Sequence, residues 1–156
     1  MRARDEELLR HAIALARRAR EHGNHPFGSV VADAEGRILV EAENTVVTGR
    51  DCTGHAETNA MRRATAELDD ATLSGATLYT STEPCAMCTA AIYWGGVRRI
   101  VYALPGETLR ALGEPGSPEL ALSCREVAAA CGHPIAIEGP ALEAEALAVH
   151  DGFWIA

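Results

Sequence analysis

The chain has 156 residues, the length of one domain, and can bury a core without disulfide or metal staples. Apolar residues make up 47%, which excludes intrinsic disorder, and no apolar run is long enough to span a bilayer as a helix. Fourteen basic residues, all arginine, face 22 acidic ones for a net charge of −8, a balance that repels a phosphate backbone and favours a small substrate over nucleic acid.

Residues 5–22 read as an amphipathic helix. Leu8, Leu9, Ala12, Ile13 and Ala16 recur at helical spacing, with Arg10, Arg17 and Arg18 off the stripe. The run Gly23-Asn24-His25-Pro26 stops it. Residues 27–33 and 38–43 read as strands joined by a turn at Glu35-Gly36, followed by a polar loop over 44–54 and a helix over 56–68. After a break at Ser74-Gly75, residues 76–81 read as a buried strand. Pro84 suits the first turn of a helix, where its missing N–H costs nothing, and that helix runs to Trp94. A strand over 98–102 and a long loop over 104–120, with Pro105, Pro115 and Pro118, come next. The chain ends in a helix over 121–130, a strand over 134–138 and a helix over 141–151. Strands alternating with helices imply an α/β layer architecture, and no composition break divides the chain, so one domain over 1–156 is expected.

The N-terminus, MRARDEELLR, lacks the apolar run of a signal peptide, so a cytoplasmic protein is expected. In that compartment its five cysteines are expected as thiols or metal ligands. Cys85 and Cys88 have metal-ligand spacing at a helix start, whose partial positive charge favours thiolates. His55 sits at the start of the other helix. One imidazole and two thiolates suit Zn²⁺ and leave a fourth position for water. Glu57, two residues beyond His55, can reach that water without binding the metal and can move its proton. A second arrangement uses the same residues. Cys52 stands three before His55, so Cys52-x-x-His55 with Cys85-x-x-Cys88 also reads as a closed, structural four-ligand zinc knuckle. That arrangement has no use for Glu57.

At these residues the chain resembles the cytidine-deaminase-like superfamily, whose zinc deaminases carry the pattern H-x-E…P-C-x-x-C. The matching stretches are HPFGSVVAD (25–33), Asn44, HAETNAMR (55–62), STEPCAMC (81–88) and AIYWGGVRRIVY (91–102). Within that superfamily the chain is similar to bacterial nucleobase deaminases of the guanine deaminase type, on AIYW at 91–94 in particular, with cytosine and tRNA adenosine deaminases as cousins. The resemblance implies a three-layer α/β/α fold around a central mixed five-stranded sheet. It implies a zinc ion on His55, Cys85 and Cys88, with Glu57 as the catalytic proton shuttle. It implies substrate contacts from the amide of Asn44, the ring of Phe27, the backbone of Ala56 and Glu57, and the backbone carbonyl at Glu83-Pro84. A further acidic contact would come from the 104–120 loop, Glu119 before Glu114, and an aromatic cover from Phe153 and Trp154.

Each of those contacts has a plainer reading. Asn44 also reads as a loop residue bonding its own backbone, and Phe27 as a core residue. Phe153 and Trp154 also read as a helix end packed on its own core, and His25 as a turn residue. Cys124 and Cys131 read as buried thiols. The activity implied is hydrolytic deamination of a free base, guanine or a related aminopurine or aminotriazine such as ammeline, with release of ammonia. Cytosine, a nucleoside or a tRNA adenosine stand as the other substrates. The resemblance also implies a homodimer, with a C-terminal segment that can be exchanged between subunits.

Overall fold

A computed structural model describes residues 1–154; Ile155 and Ala156 lie outside the described residues. The expected mixed sheet is present, with five strands in the order β2-β1-β3-β4-β5. β1 (Gly28–Ala32) pairs antiparallel with both β2 (Ile38–Glu43) and β3 (Thr77–Thr82). β4 (Arg99–Leu104) and β5 (Ala136–Glu138) then continue from β3 in parallel.

Period-2 alternation sorts the central strands onto two cores. Val30, Ala32, Tyr79, Val101 and Ala103 pack beneath α1 (Asp5–Glu21) and α8 (Glu143–Ala148). Val31, Leu78 and Ile100 face the other way, against Ala60, Met61 and Ala64 of α3 (Ala56–Glu67) and Ile92 of α5 (Ala86–Trp94). Helices on both faces make the three layers. The amphipathic stripe of α1 is fully used: Leu8, Leu9, Ala12, Ile13, Leu15, Ala16 and Ala19 are buried. The helix lies so close to β1 that a Cβ on Gly28 would stand 2.4 Å from the Ala12 carbonyl oxygen. Glycine at 28 is therefore a packing requirement.

Five segments differ from the sequence expectation. The polar loop contains one helical turn, α2 (Val46–Gly49), and the break near Ser74-Gly75 is the end of a short helix, α4 (Asp70–Gly75). The 104–120 stretch is not loop throughout. Pro105 caps α6 (Gly106–Ala111), because its fixed φ suits a helix start as well as a loop. The next helix begins three residues later than expected, as α7 (Cys124–Ala129), since Ser123 and Glu126 close a reciprocal capping box there. The last helix is shorter than 141–151, beginning after Leu142 in a left-handed conformation with φ 55°. Among the described residues no helix is long and apolar enough to cross a membrane.

Candidate metal centre and active site

The site lies on the α3/α5 side of the sheet, where two helices begin side by side. His55 is the N-cap of α3 and Cys85 the N-cap of α5, both with extended backbones. Cys88 is one turn further along α5 and buried. The Sγ atoms of Cys85 and Cys88 lie 3.6 and 3.4 Å from His55 Nδ1. The three ligand atoms fall within 4.8 Å of one another, the only such metal-capable group of histidine, cysteine and acidic side chains among the described residues. This donor set, one imidazole nitrogen and two sulfurs, fits zinc. Cys52 is exposed and stands outside the group.

Electrostatics reinforce the arrangement. The hydrogen bond from Cys88, with His55 close by, brings Cys85 down to about 4, a thiolate at neutral pH. The same contact and burial hold the Cys88 thiol well above its ordinary range within the polypeptide alone. Hydrogen bonding to Cys85 raises His55. Glu57, in the first turn of α3, is buried, and burial raises its carboxyl above the usual carboxylate range. The Thr80 hydroxyl of β3 donates to Glu57 Oε1 at 2.5 Å.

A cavity of about 80 Å³ opens beside these groups, lined by Phe27, His55, Glu57, Thr82, Glu83, Cys85 and Leu109. Phe27 thus borders the cavity. It also makes an edge contact with His150, centroids 5.5 Å apart, so it is wall and packing residue at once. Ala56 is buried at the start of α3. Asn44 is buried, and its Oδ1 accepts from Val46 N at 3.0 Å, the local turn of the plainer reading. It is not among the cavity-lining residues.

Glu83 does more than its backbone promised. Its Oε1 accepts from Gly106 N at 3.1 Å and its Oε2 from Cys124 N at 3.0 Å, tying the starts of α6 and α7 to the cysteine-bearing segment. Glu119 and Glu114 are exposed and lie outside the cavity lining. Trp154 packs near the wall, its ring centroid 6.2 Å from that of Phe27, and its Nε1 donates to His150 Nδ1 at 3.0 Å. It lines a neighbouring apolar groove rather than the cavity itself. Phe153 lies under Arg20, 5.4 Å from its guanidinium carbon, and His25 packs edge-on against it, centroids 5.9 Å apart. Cys124 is buried as expected, whereas Cys131, just beyond the C-cap of α7, is half-buried.

Thr80, Thr82 and Leu109, and the side-chain role of Glu83, were not singled out from the sequence. Thr80 and Thr82 carried a signal all the same. Two threonines at i and i+2 in a strand leading to the cysteines must share a face, the face of the metal group.

The family model of the cytidine and deoxycytidylate deaminase zinc-binding region matches residues 2–104. The chain belongs to this family. It is accordingly a zinc-dependent hydrolytic deaminase. It is 42% identical over 153 residues to the probable cytosine deaminase of Schizosaccharomyces pombe, covering 97% of this chain and 93% of that one. The solved guanine deaminase of Nitrosomonas europaea superposes with a TM-score of 0.74 at 30% identity, over 91% of this chain and 80% of that one. A tRNA:A34 deaminase, from a study of A-to-I editing at the wobble position, gives the same TM-score, 0.74, at 29% identity, over 95% of this chain and 99% of that one.

Proposed function

We propose that the deaminase acts on a free amino-substituted nucleobase, with guanine or a related aminopurine or aminotriazine such as ammeline as its substrate class. The observation that carries this reading is the buried Glu57 carboxyl beside the His55–Cys85–Cys88 group, at the wall of a small cavity bordered by an aromatic ring. Similarity to the guanine deaminase over nearly the whole chain supports the ring class. The net charge of −8 argues against a tRNA substrate, whose binding depends on neutralised phosphates.

The residue roles follow from position. His55, Cys85 and Cys88 would hold zinc. When bound, the metal supplies the Lewis acidity that makes water a nucleophile at neutral pH. Glu57 is placed to accept a proton from the attacking water and deliver it to the substrate. Water adds at the amino-bearing ring carbon, the C–N bond breaks, and the amino group leaves as ammonia with the proton that Glu57 returns. Phe27 offers a face for the ring. Asn44, the backbone of Ala56, the Glu83-Pro84 carbonyl, Glu119 and Trp154 remain the proposed substrate contacts, although Asn44, Ala56, Glu119 and Trp154 stand outside the cavity lining.

A second reading, cytosine, draws on the 42% identity to the yeast protein and on the narrowness of the cavity. Ammonia release decides between them. Zinc-loaded protein is tested against guanine, ammeline, adenine, cytosine, cytidine, guanosine and a tRNA hairpin, with Glu57→Ala as the blank. Turnover of guanine or ammeline supports the first reading, and turnover of cytosine alone the second. Turnover of the hairpin alone would overturn both. Glu57→Ala should keep its zinc and fold and lose turnover; retained activity would remove Glu57 from the mechanism.

We also propose a homodimer. The outer side of α5 supports it, for Met87 and Ala91 lead to Trp94, which is 81% exposed. Light scattering on a sizing column should give twice the 16.5 kDa chain mass, and a clean monomer would refute it.

A further inference from the structure

Among the described residues, two buried side-chain oxygens have no hydrogen-bond partner: Ser29 Oγ and Thr82 Oγ1. A buried hydroxyl without a partner is costly and calls for an explanation. Ser29 is not among the residues that line the cavity, whereas Thr82 is, together with Glu57 and Cys85. The Thr82 side chain belongs to a residue only 2% exposed, so bulk water does not satisfy it.

Apart from Ser29, which pairs across the sheet with Thr80, the nearby hydroxyls of the strand and of α5 are committed. Thr80 Oγ1 donates to Glu57 Oε1 at 2.5 Å. Ser81 Oγ accepts from Gly28 N at 3.1 Å. Thr89 Oγ1 donates to the Cys85 carbonyl at 2.9 Å. Thr82 shares its strand face with Thr80 by the period-2 rule, which puts its hydroxyl on the Glu57 side of the sheet.

We propose that Thr82 Oγ1 is a substrate-binding group, hydrogen bonding the polar edge of the amino-substituted ring and helping to set which ring is accepted. The assignment rests on the function proposed above. A hydroxyl can donate one bond and accept two, so it serves a ring nitrogen or an exocyclic amino group equally. A site built to hydrogen bond a substrate leaves its own polar group unpaired with a ring that lacks the matching atom, and so rejects that ring.

The test compares Thr82→Val, which keeps shape and removes the hydroxyl, with Thr82→Ser, which keeps the hydroxyl. Both are measured for kcat/KM across the base panel, for zinc content and for melting temperature. Thr82→Val should lose about tenfold in kcat/KM on the preferred base, the worth of one neutral hydrogen bond. Its zinc content should be unchanged, and its melting temperature equal to or above wild type, because an unpaired buried hydroxyl has been replaced by a methyl group. Thr82→Ser should restore the wild-type value. The inference is overturned if Thr82→Val keeps both the rate and the ranking of bases, if Thr82→Ser is as weak as Thr82→Val, or if Thr82→Val melts lower, since the hydroxyl would then serve the fold. A wild-type protein that turns over no base in the panel overturns the proposed function itself, and this inference with it. Turnover by wild type with an unaffected Thr82→Val overturns the Thr82 role alone.

Discussion

The Thr80 hydroxyl stands 2.5 Å from Glu57 Oε1, and both side chains are buried. A carboxylate that must carry a proton cannot also be free to turn, and here one oxygen is fixed by the strand beneath it. Thr80 is a positioning residue on this account, acting through Glu57. Thr80→Val should lower kcat about tenfold or more, the scale of a hydrogen bond to a charged group, while KM and zinc content hold. Thr80→Ser should recover the rate. An unchanged kcat in Thr80→Val would show that packing of α3 alone orients Glu57.

Cys52 provides the test of an open metal site. Its thiol is exposed and outside the group formed by His55, Cys85 and Cys88. Cys52→Ser should therefore bind zinc as wild type does, whereas Cys85→Ser should lose it. Metal content by plasma emission on both variants settles the point. Loss of zinc from Cys52→Ser would restore the closed knuckle and leave Glu57 without a task.

The metal group was legible because its determinants are local. His55 with Glu57, and Cys85 with Cys88, are each fixed by one helix start, and Pro84 marks one of those starts. The sheet was legible from short apolar and β-branched runs bounded by turn residues, since β1, β3 and β4 are buried on both faces. What escaped was set by contacts distant in sequence or by competing local signals. Pro105 punctuates a proline-rich stretch and begins a helix within it, and the prolines alone cannot say which. Glu83 was read for its backbone because its side-chain partners, Gly106 and Cys124, lie beyond any window that periodicity can scan. Ser123 and Glu126 did carry a capping-box signature, and weighting it would have placed the start of α7 correctly.

Asp5 and Arg99 form a buried pair at the other side of the sheet. Arg99 Nη1 and Nη2 donate to Asp5 Oδ1 and Oδ2 at 3.0 and 2.6 Å, and Tyr79 adds a third bond at 2.7 Å. Burial by itself would raise the Asp5 carboxyl; the bonds from Arg99 and Tyr79 outweigh it and lower the group from 3.8 to about 2. Because the folded value is depressed, the stability contributed is fully present above the ordinary value. It is lost as the pH falls through about 2. Arg99 keeps its second carboxylate partner, Glu138, so Asp5→Asn does not strand the guanidinium. The loss of two charge-assisted bonds should destabilise the fold by about 2 kcal/mol near neutrality. Urea unfolding should show that gap narrowing as the pH drops from about 5 toward the depressed value. A gap independent of pH would mean that Asp5 is not ionised in the folded protein.

Glu83 links the cysteine-bearing segment to the two helices that follow β4. One oxygen holds Gly106 N at the start of α6 and the other holds Cys124 N at the start of α7. Leu109 of α6 lines the same cavity as Glu83, so the position of that wall depends on the first of these bonds. Glu83→Ala removes both acceptors. The amides of Gly106 and Cys124 should then exchange with solvent about tenfold faster, the scale expected for the loss of one hydrogen bond each. The amides of the buried strands, Val101 among them, should keep their protection. KM for the preferred base should rise more than kcat falls, since a cavity wall is loosened while Glu57 and the metal group stay in place. Glu83→Gln separates the two bonds, because its amide nitrogen cannot accept and one backbone N–H loses its partner. Unchanged exchange at both amides in Glu83→Ala would show that α6 and α7 are held by their apolar contacts instead.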